Sequence, residues 1–226
     1  MFDAVIVEPN APADSAVIWL HGLGASGHDF EPAIPLLGLT SATRFIFPHA
    51  PEIPVTVNGG MVMPAWYDIE HMDIERTIDV SGIQESADRV DRIVAAQIAD
   101  GIPASRILLV GFSQGGAVAL YAGVRSRDAL AGVLALSTYW VGAQDPNLQP
   151  GRAPDELPIE VHHGTADPVV PYTLGEQAVE SLQALGYPVT FQAFAMPHSV
   201  VPEQLRAIGQ WMASRLTSDS PTRSKE

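Results

Sequence analysis

The chain has 226 residues, 46% of them apolar, a formal net charge of −14 and no cysteine. So large an acidic excess is unsuited to nucleic acid or an anionic membrane surface, where clustered Lys and Arg are needed to hold phosphates, and it favours solubility and weak self-association. The lack of cysteine excludes disulfides, thiolate metal sites and a cysteine nucleophile.

Residues 1–8 have no basic stretch followed by an apolar core, so they read as an edge strand rather than a secretory signal. Apolar runs at 16–20, 44–48, 106–110, 133–136, 158–162 and 189–194 read as further strands. The run at 106–110 is almost continuously apolar, as a central parallel strand must be. The clearest helix opens at Ser81, with Gln84 three residues on completing a capping box. Ile83, Ala87, Val90, Val94 and Ile98 recur at helical spacing, and Gly101 and Pro103 end it. Further helices are expected over 114–124, 174–185 and 202–216. Strands alternating with helices predict an α/β fold, a mainly parallel central sheet flanked by helices on both faces. Residues 51–80 fit no simple element, and a connection that long marks a lid or pocket wall. No apolar run reaches the roughly 18 residues of a membrane span. The expectation is a cytoplasmic protein with one domain over 1–217 and a frayed polar tail at 218–226.

Gly111-Phe112-Ser113-Gln114-Gly115 follows the most apolar strand and precedes a good helix start. It matches G-x-S-x-G, a weak pattern alone but a specific one between a strand and a helix, where it forms the nucleophile elbow of the α/β-hydrolase fold. The turn projects the serine hydroxyl from the sheet edge. Its crowding demands glycine two residues either side, and the next N–H, at a helix N-terminus, is placed to hold an oxyanion.

An activated serine needs a histidine base and a carboxylate to orient it, in the chain order Ser, acid, His. Only His162, His163 and His198 follow Ser113. His162 ends a predicted strand and His163 falls in the turn behind it, whereas His198 occupies the loop between the last strand and last helix, where the base belongs. Among the acids in between, Asp167 follows a strand at the sheet's C-terminal edge; Asp145, Asp155, Glu156, Glu176 and Glu180 read as solvated charges. A metal site on His162, His163 and Asp167 is disfavoured, because adjacent strand residues point to opposite faces. The second oxyanion donor is expected from the Gly-rich loop His21-Gly22-Leu23-Gly24, as the N–H of Leu23 beside that of Gln114, with His21 structural. Met63, Trp66 and Tyr67, with Val169 and Val170, are apolar groups suited to an acyl chain or to ordinary core.

Together His21-Gly22-Leu23-Gly24, Gly111-Phe112-Ser113-Gln114-Gly115-Gly116, His163-Gly164-Thr165-Ala166-Asp167-Pro168 and the His198 loop resemble the phospholipase/carboxylesterase family, as do residues 54–60 and 63–69. The resemblance implies a Ser113, Asp167, His198 triad, an oxyanion hole from Leu23 and Gln114, and cofactor-free hydrolysis of a small-molecule ester or thioester, often by homodimers. It also implies that the stretch around Met63 and Trp66 borders the acyl pocket. Two positions depart from the family pattern: Pro197 stands where glycine usually precedes the histidine, and Trp140 where a small residue is common. A bulky indole there is expected to narrow the pocket and favour short acyl groups. The rival readings are a peptidase of the same fold and a catalytically silent binding protein.

Overall fold

The computed structural model describes residues 3–70 and 78–216. His71 and the tail expected at 218–226 lie outside the described residues. Seven strands, β1 (Ala4–Val7), β2 (Ser15–Leu20), β3 (Thr43–Pro48), β6 (Ile107–Phe112), β7 (Gly132–Leu136), β8 (Ile159–Gly164) and β9 (Val189–Phe194), form one sheet in the order β1-β3-β2-β6-β7-β8-β9. Only β1 runs antiparallel to its neighbour; the other pairings are parallel. The central strand β6 is buried on both faces, which explains its unbroken apolar run.

Side-chain alternation divides the interior into two clusters. Ile18, Leu20, Ile107 and Leu109 face α2 (Val80–Ala99), α3 (Gln114–Arg125) and α4 (Tyr172–Ala184). Val17, Trp19, Leu108 and Val110 face the short α1 (Ile34–Leu37) and α5 (Pro202–Leu216). Each of the fully buried aliphatic side chains among them contributes about 1.5–3 kcal/mol, so the strand leading to Ser113 is anchored from both sides. Among the described residues no helix is long and apolar enough to cross a membrane.

Three local expectations are corrected. The N-cap of α2 is Asp79, not Ser81: the Asp79 carboxylate accepts from the Ser81 N–H at 3.0 Å, and Gln84 is drawn away to donate to Asp145 Oδ2 at 2.8 Å. Asp145 is not a solvated charge but is 5% exposed, accepting the Tyr121 hydroxyl at 2.5 Å and the Asn147 N–H at 2.8 Å. Those hydrogen bonds, Tyr121's first, hold its carboxyl below the usual range, while burial and the same contact push Tyr121 up to about 12. Within the irregular stretch, Glu52–Val55 (β4) and Met61–Pro64 (β5) pair as a small antiparallel hairpin. Its strands are four residues long, and β4 carries Pro54, which suits a short two-stranded edge and hides the period-2 signal.

Candidate active site

Strand β6 delivers Ser113 to the C-terminal edge of the sheet, and the turn into α3 holds its backbone at φ 55°, ψ −120°. A serine in this region costs about 1–3 kcal/mol and persists only where its surroundings fix it. They do: Ser113 N–H donates to Leu136 O at 2.8 Å, and the Thr138 hydroxyl donates to Ser113 O at 2.6 Å. The two flanking glycines are steric requirements. A Cβ on Gly111 would strike Gly115 O, and one on Gly115 would strike the carbonyls of Leu20 and His21.

Ser113 Oγ lies 3.0 Å from His198 Nε2, and His198 Nδ1 lies 2.6 Å from Asp167 Oδ2. A carboxylate only accepts, so Nδ1 carries the proton and Nε2 presents a lone pair to the serine hydroxyl. The other carboxylate oxygen of Asp167 accepts the N–H groups of Val169 and Val170, each at 2.8 Å. Pro197 disturbs none of this. The His198 loop is held through carbonyls, with Ala166 N–H donating to Met196 O at 3.2 Å and Ser199 N–H to Pro197 O at 2.8 Å. The missing proline N–H is not called upon.

The loop after β2 passes beside Ser113: a Cβ on Gly22 would stand 3.5 Å from Ser113 Cβ. Two contacts fix it. Gly24 N–H donates to Pro64 O at 2.8 Å, and the Trp66 indole N–H donates to His21 O at 2.8 Å. His21 is structural as expected, donating from Nδ1 to Gly22 O at 2.7 Å and accepting Ala50 N–H on Nε2 at 3.1 Å. Leu23 and Gln114 both line the cavity with Ser113, and neither backbone N–H meets a protein acceptor among the described residues.

That cavity, about 490 Å³, opens over Ser113 and His198. Val169 lines it, as do Ile69, Tyr139 and Phe112, which nothing in the sequence marks as walls. Met63, Trp66, Tyr67 and Val170 are not among its walls. Trp66 and Tyr67 are buried core, 2% and 0% exposed, and support the site from behind. The Gln114 side chain clamps them, accepting Trp66 N–H at 2.9 Å and donating to Tyr67 O at 2.7 Å. Sequence gives one hint of this role, a polar residue where α3 starts against the core. Val170 is buried too and acts through its backbone on Asp167. Trp140 does not narrow the cavity: its indole lies against Gly142, where any side chain would strike it, and Tyr139 supplies the wall instead.

His162 and His163 both belong to β8, so the turn assigned to His163 begins later. Their rings have separate partners, as opposite faces require: His162 Nε2 meets Glu160 Oε1 at 2.7 Å, and His163 Nε2 donates to Val170 O at 2.9 Å. Burial lowers the pKa of His163 and of His21 from the ordinary 6.5. Below pH 6.5 the unfolded chain therefore binds protons that the folded one refuses, so these groups leave stability unchanged above that pH and erode it as the pH falls. The urea midpoint should be level between pH 8 and 7 and lower at 5.5; a midpoint rising on acidification would contradict this.

Comparison with known proteins agrees along nearly the whole chain. The family model described as Phospholipase/Carboxylesterase matches residues 1–215. An acyl-protein thioesterase 1 of Neurospora crassa is 39% identical over 223 residues, covering 94% of this chain and 91% of the relative. The crystal structure of Arabidopsis thaliana SOBER1 superposes with a TM-score of 0.83 at 30% identity, covering 90% of this chain and 99% of that one. Acyl-protein thioesterase 2 of Zea mays gives 0.86 at 27% identity, with 96% and 100% covered. Since the likeness holds in sequence and backbone over nine-tenths of the chain or more, the chain belongs to the phospholipase/carboxylesterase family and is a hydrolase of the α/β-hydrolase fold.

Proposed function

We propose that the protein hydrolyses carboxylic esters and thioesters with short-to-medium acyl chains, through an acyl-enzyme on Ser113. The observation that carries this reading is the unbroken relay from Ser113 Oγ to His198 to Asp167 at the floor of an open, largely apolar cavity. His198 Nε2 takes the hydroxyl proton as Oγ attacks the carbonyl carbon. The oxyanion is received by the N–H groups of Leu23 and Gln114. His198 then gives that proton to the departing alcohol or thiol, and the acyl group stays on Oγ. Water attacks the acyl-enzyme with His198 again as base, releasing the acid and restoring the serine. Asp167 keeps its charge throughout and stabilises the imidazolium that forms at each proton transfer.

A series of p-nitrophenyl esters of increasing acyl length, run beside an acyl thioester, tests the reading. Hydrolysis of both classes is expected, with kcat/KM passing through a maximum at a chain the cavity can enclose. Cleavage of peptide amides with no turnover of either class would favour the peptidase instead.

A further inference from the structure

The cavity over Ser113 is walled from both sides of the sheet. Leu23, Ile69 and Tyr139 pack against the cluster beneath α2, α3 and α4. Phe30, Phe112 and Val200 belong to the cluster beneath α1 and α5. The nucleophile sits where these two walls meet, so the substrate's two halves have different surroundings.

Which half goes where follows from the proton path. The leaving oxygen or sulfur takes its proton from His198, so the leaving group lies on the side of that ring. His198 packs on Phe112, with ring centroids 4.8 Å apart, and Phe112 packs on Phe30 at 5.6 Å. The wall therefore runs from the general acid through two aromatic rings, and Asp29, the residue before Phe30, lines the same cavity. Asp29 is the one carboxylate lining the cavity among the described residues. Its Oδ1 accepts the N–H and hydroxyl of Ser26, each at 3.1 Å, and no cation pairs with it among the described residues. A negative charge on an otherwise apolar wall is a selector: it attracts a cation and repels an anion.

Resting on the esterase reading above, we infer that Asp29 sets leaving-group specificity, favouring alcohols and thiols that carry a positive charge. Asp29 is a specificity residue and takes no part in the chemistry. Two opposite charges about 4–5 Å apart in a solvent-open site attract enough for a roughly three- to tenfold preference.

Butyrylcholine and 3,3-dimethylbutyl butyrate share acyl group and shape and differ in one charge. The readout is the ratio of their kcat/KM values, each normalised to its rate with hydroxide so that intrinsic reactivity cancels. At low salt the wild type should prefer the cationic ester about three- to tenfold, and about 1 M salt should bring the ratio close to one. In Asp29→Asn, which keeps an oxygen for Ser26, the low-salt ratio should fall by about threefold or more; Asp29→Ser serves the same purpose if the first variant does not fold. A wild-type ratio within twofold of one overturns the inference. So does a preference that salt screens but both variants retain, because that is steering by the whole chain's net charge of −14. The two readings fail separately: no hydrolysis of either ester refutes the esterase reading, whereas brisk hydrolysis of both without preference refutes only the role of Asp29.

Discussion

Ser113→Ala is expected to lower kcat toward p-nitrophenyl butyrate by about 10⁴–10⁶-fold while the protein stays folded. The size follows from what alanine removes. The Oγ that would carry the acyl group is gone, so His198 has no hydroxyl to activate, and only substrate binding and the oxyanion donors remain. Stability should change little, because the elbow is held by backbone bonds from Ser113 N–H to Leu136 O and from the Thr138 hydroxyl to Ser113 O, which alanine keeps. Unaltered circular dichroism and thermal midpoint beside the lost activity are the expected pair of results. A variant retaining a hundredth or more of the activity would place the nucleophile elsewhere.

The second large effect is expected at Asp167. Asparagine keeps the shape and can still accept the Val169 and Val170 N–H groups with its oxygen. Its amide nitrogen then faces His198 Nδ1, where the carboxylate oxygen now sits at 2.6 Å. A donor there favours the other tautomer, putting the proton on Nε2 and taking away the lone pair that faces Ser113. The stabilising charge for the imidazolium is lost in the same step. Asp167→Asn should lower kcat by about 10³–10⁴-fold with KM little changed. Combined with Ser113→Ala it should add almost nothing, because the three residues act as one unit; losses that multiplied in full would mean that Asp167 acts independently of the serine.

Much of this is legible in the sequence, and for physical reasons. Parallel strands covered on both faces must be apolar throughout, so β2, β6 and β7 announce themselves. The spacing around Ser113 is legible because sterics impose it: Gly111 and Gly115 leave no room for a Cβ. Chain order points to His198 and Asp167, and the fold brings His198 into hydrogen-bond contact with both Ser113 and Asp167. What sequence did not reveal is which way side chains turn. Trp66, Trp140 and Val170 have the composition of an acyl pocket or its constriction, yet one is core, one lies against Gly142 and one works through its backbone. Ile69 and Tyr139 line the cavity with nothing in the sequence to set them apart from ordinary core residues. Asp145 shows the same limit from the polar side, since its burial depends on Tyr121 and Gln84, both distant along the chain. The cap is hard to read locally because Ser81 and Asp79 compete for one helix end, and the carboxylate is the stronger acceptor there.

The central claim is that Ser113 is the nucleophile, poised by His198. Incubation of the full chain with a fluorophosphonate, followed by intact-mass and peptide mass spectrometry, tests it most directly. One adduct per chain is predicted, on the peptide containing Ser113, abolished in Ser113→Ala and slowed by orders of magnitude in Asp167→Asn. An adduct on any other residue, or folded protein that takes up no label, would contradict the account.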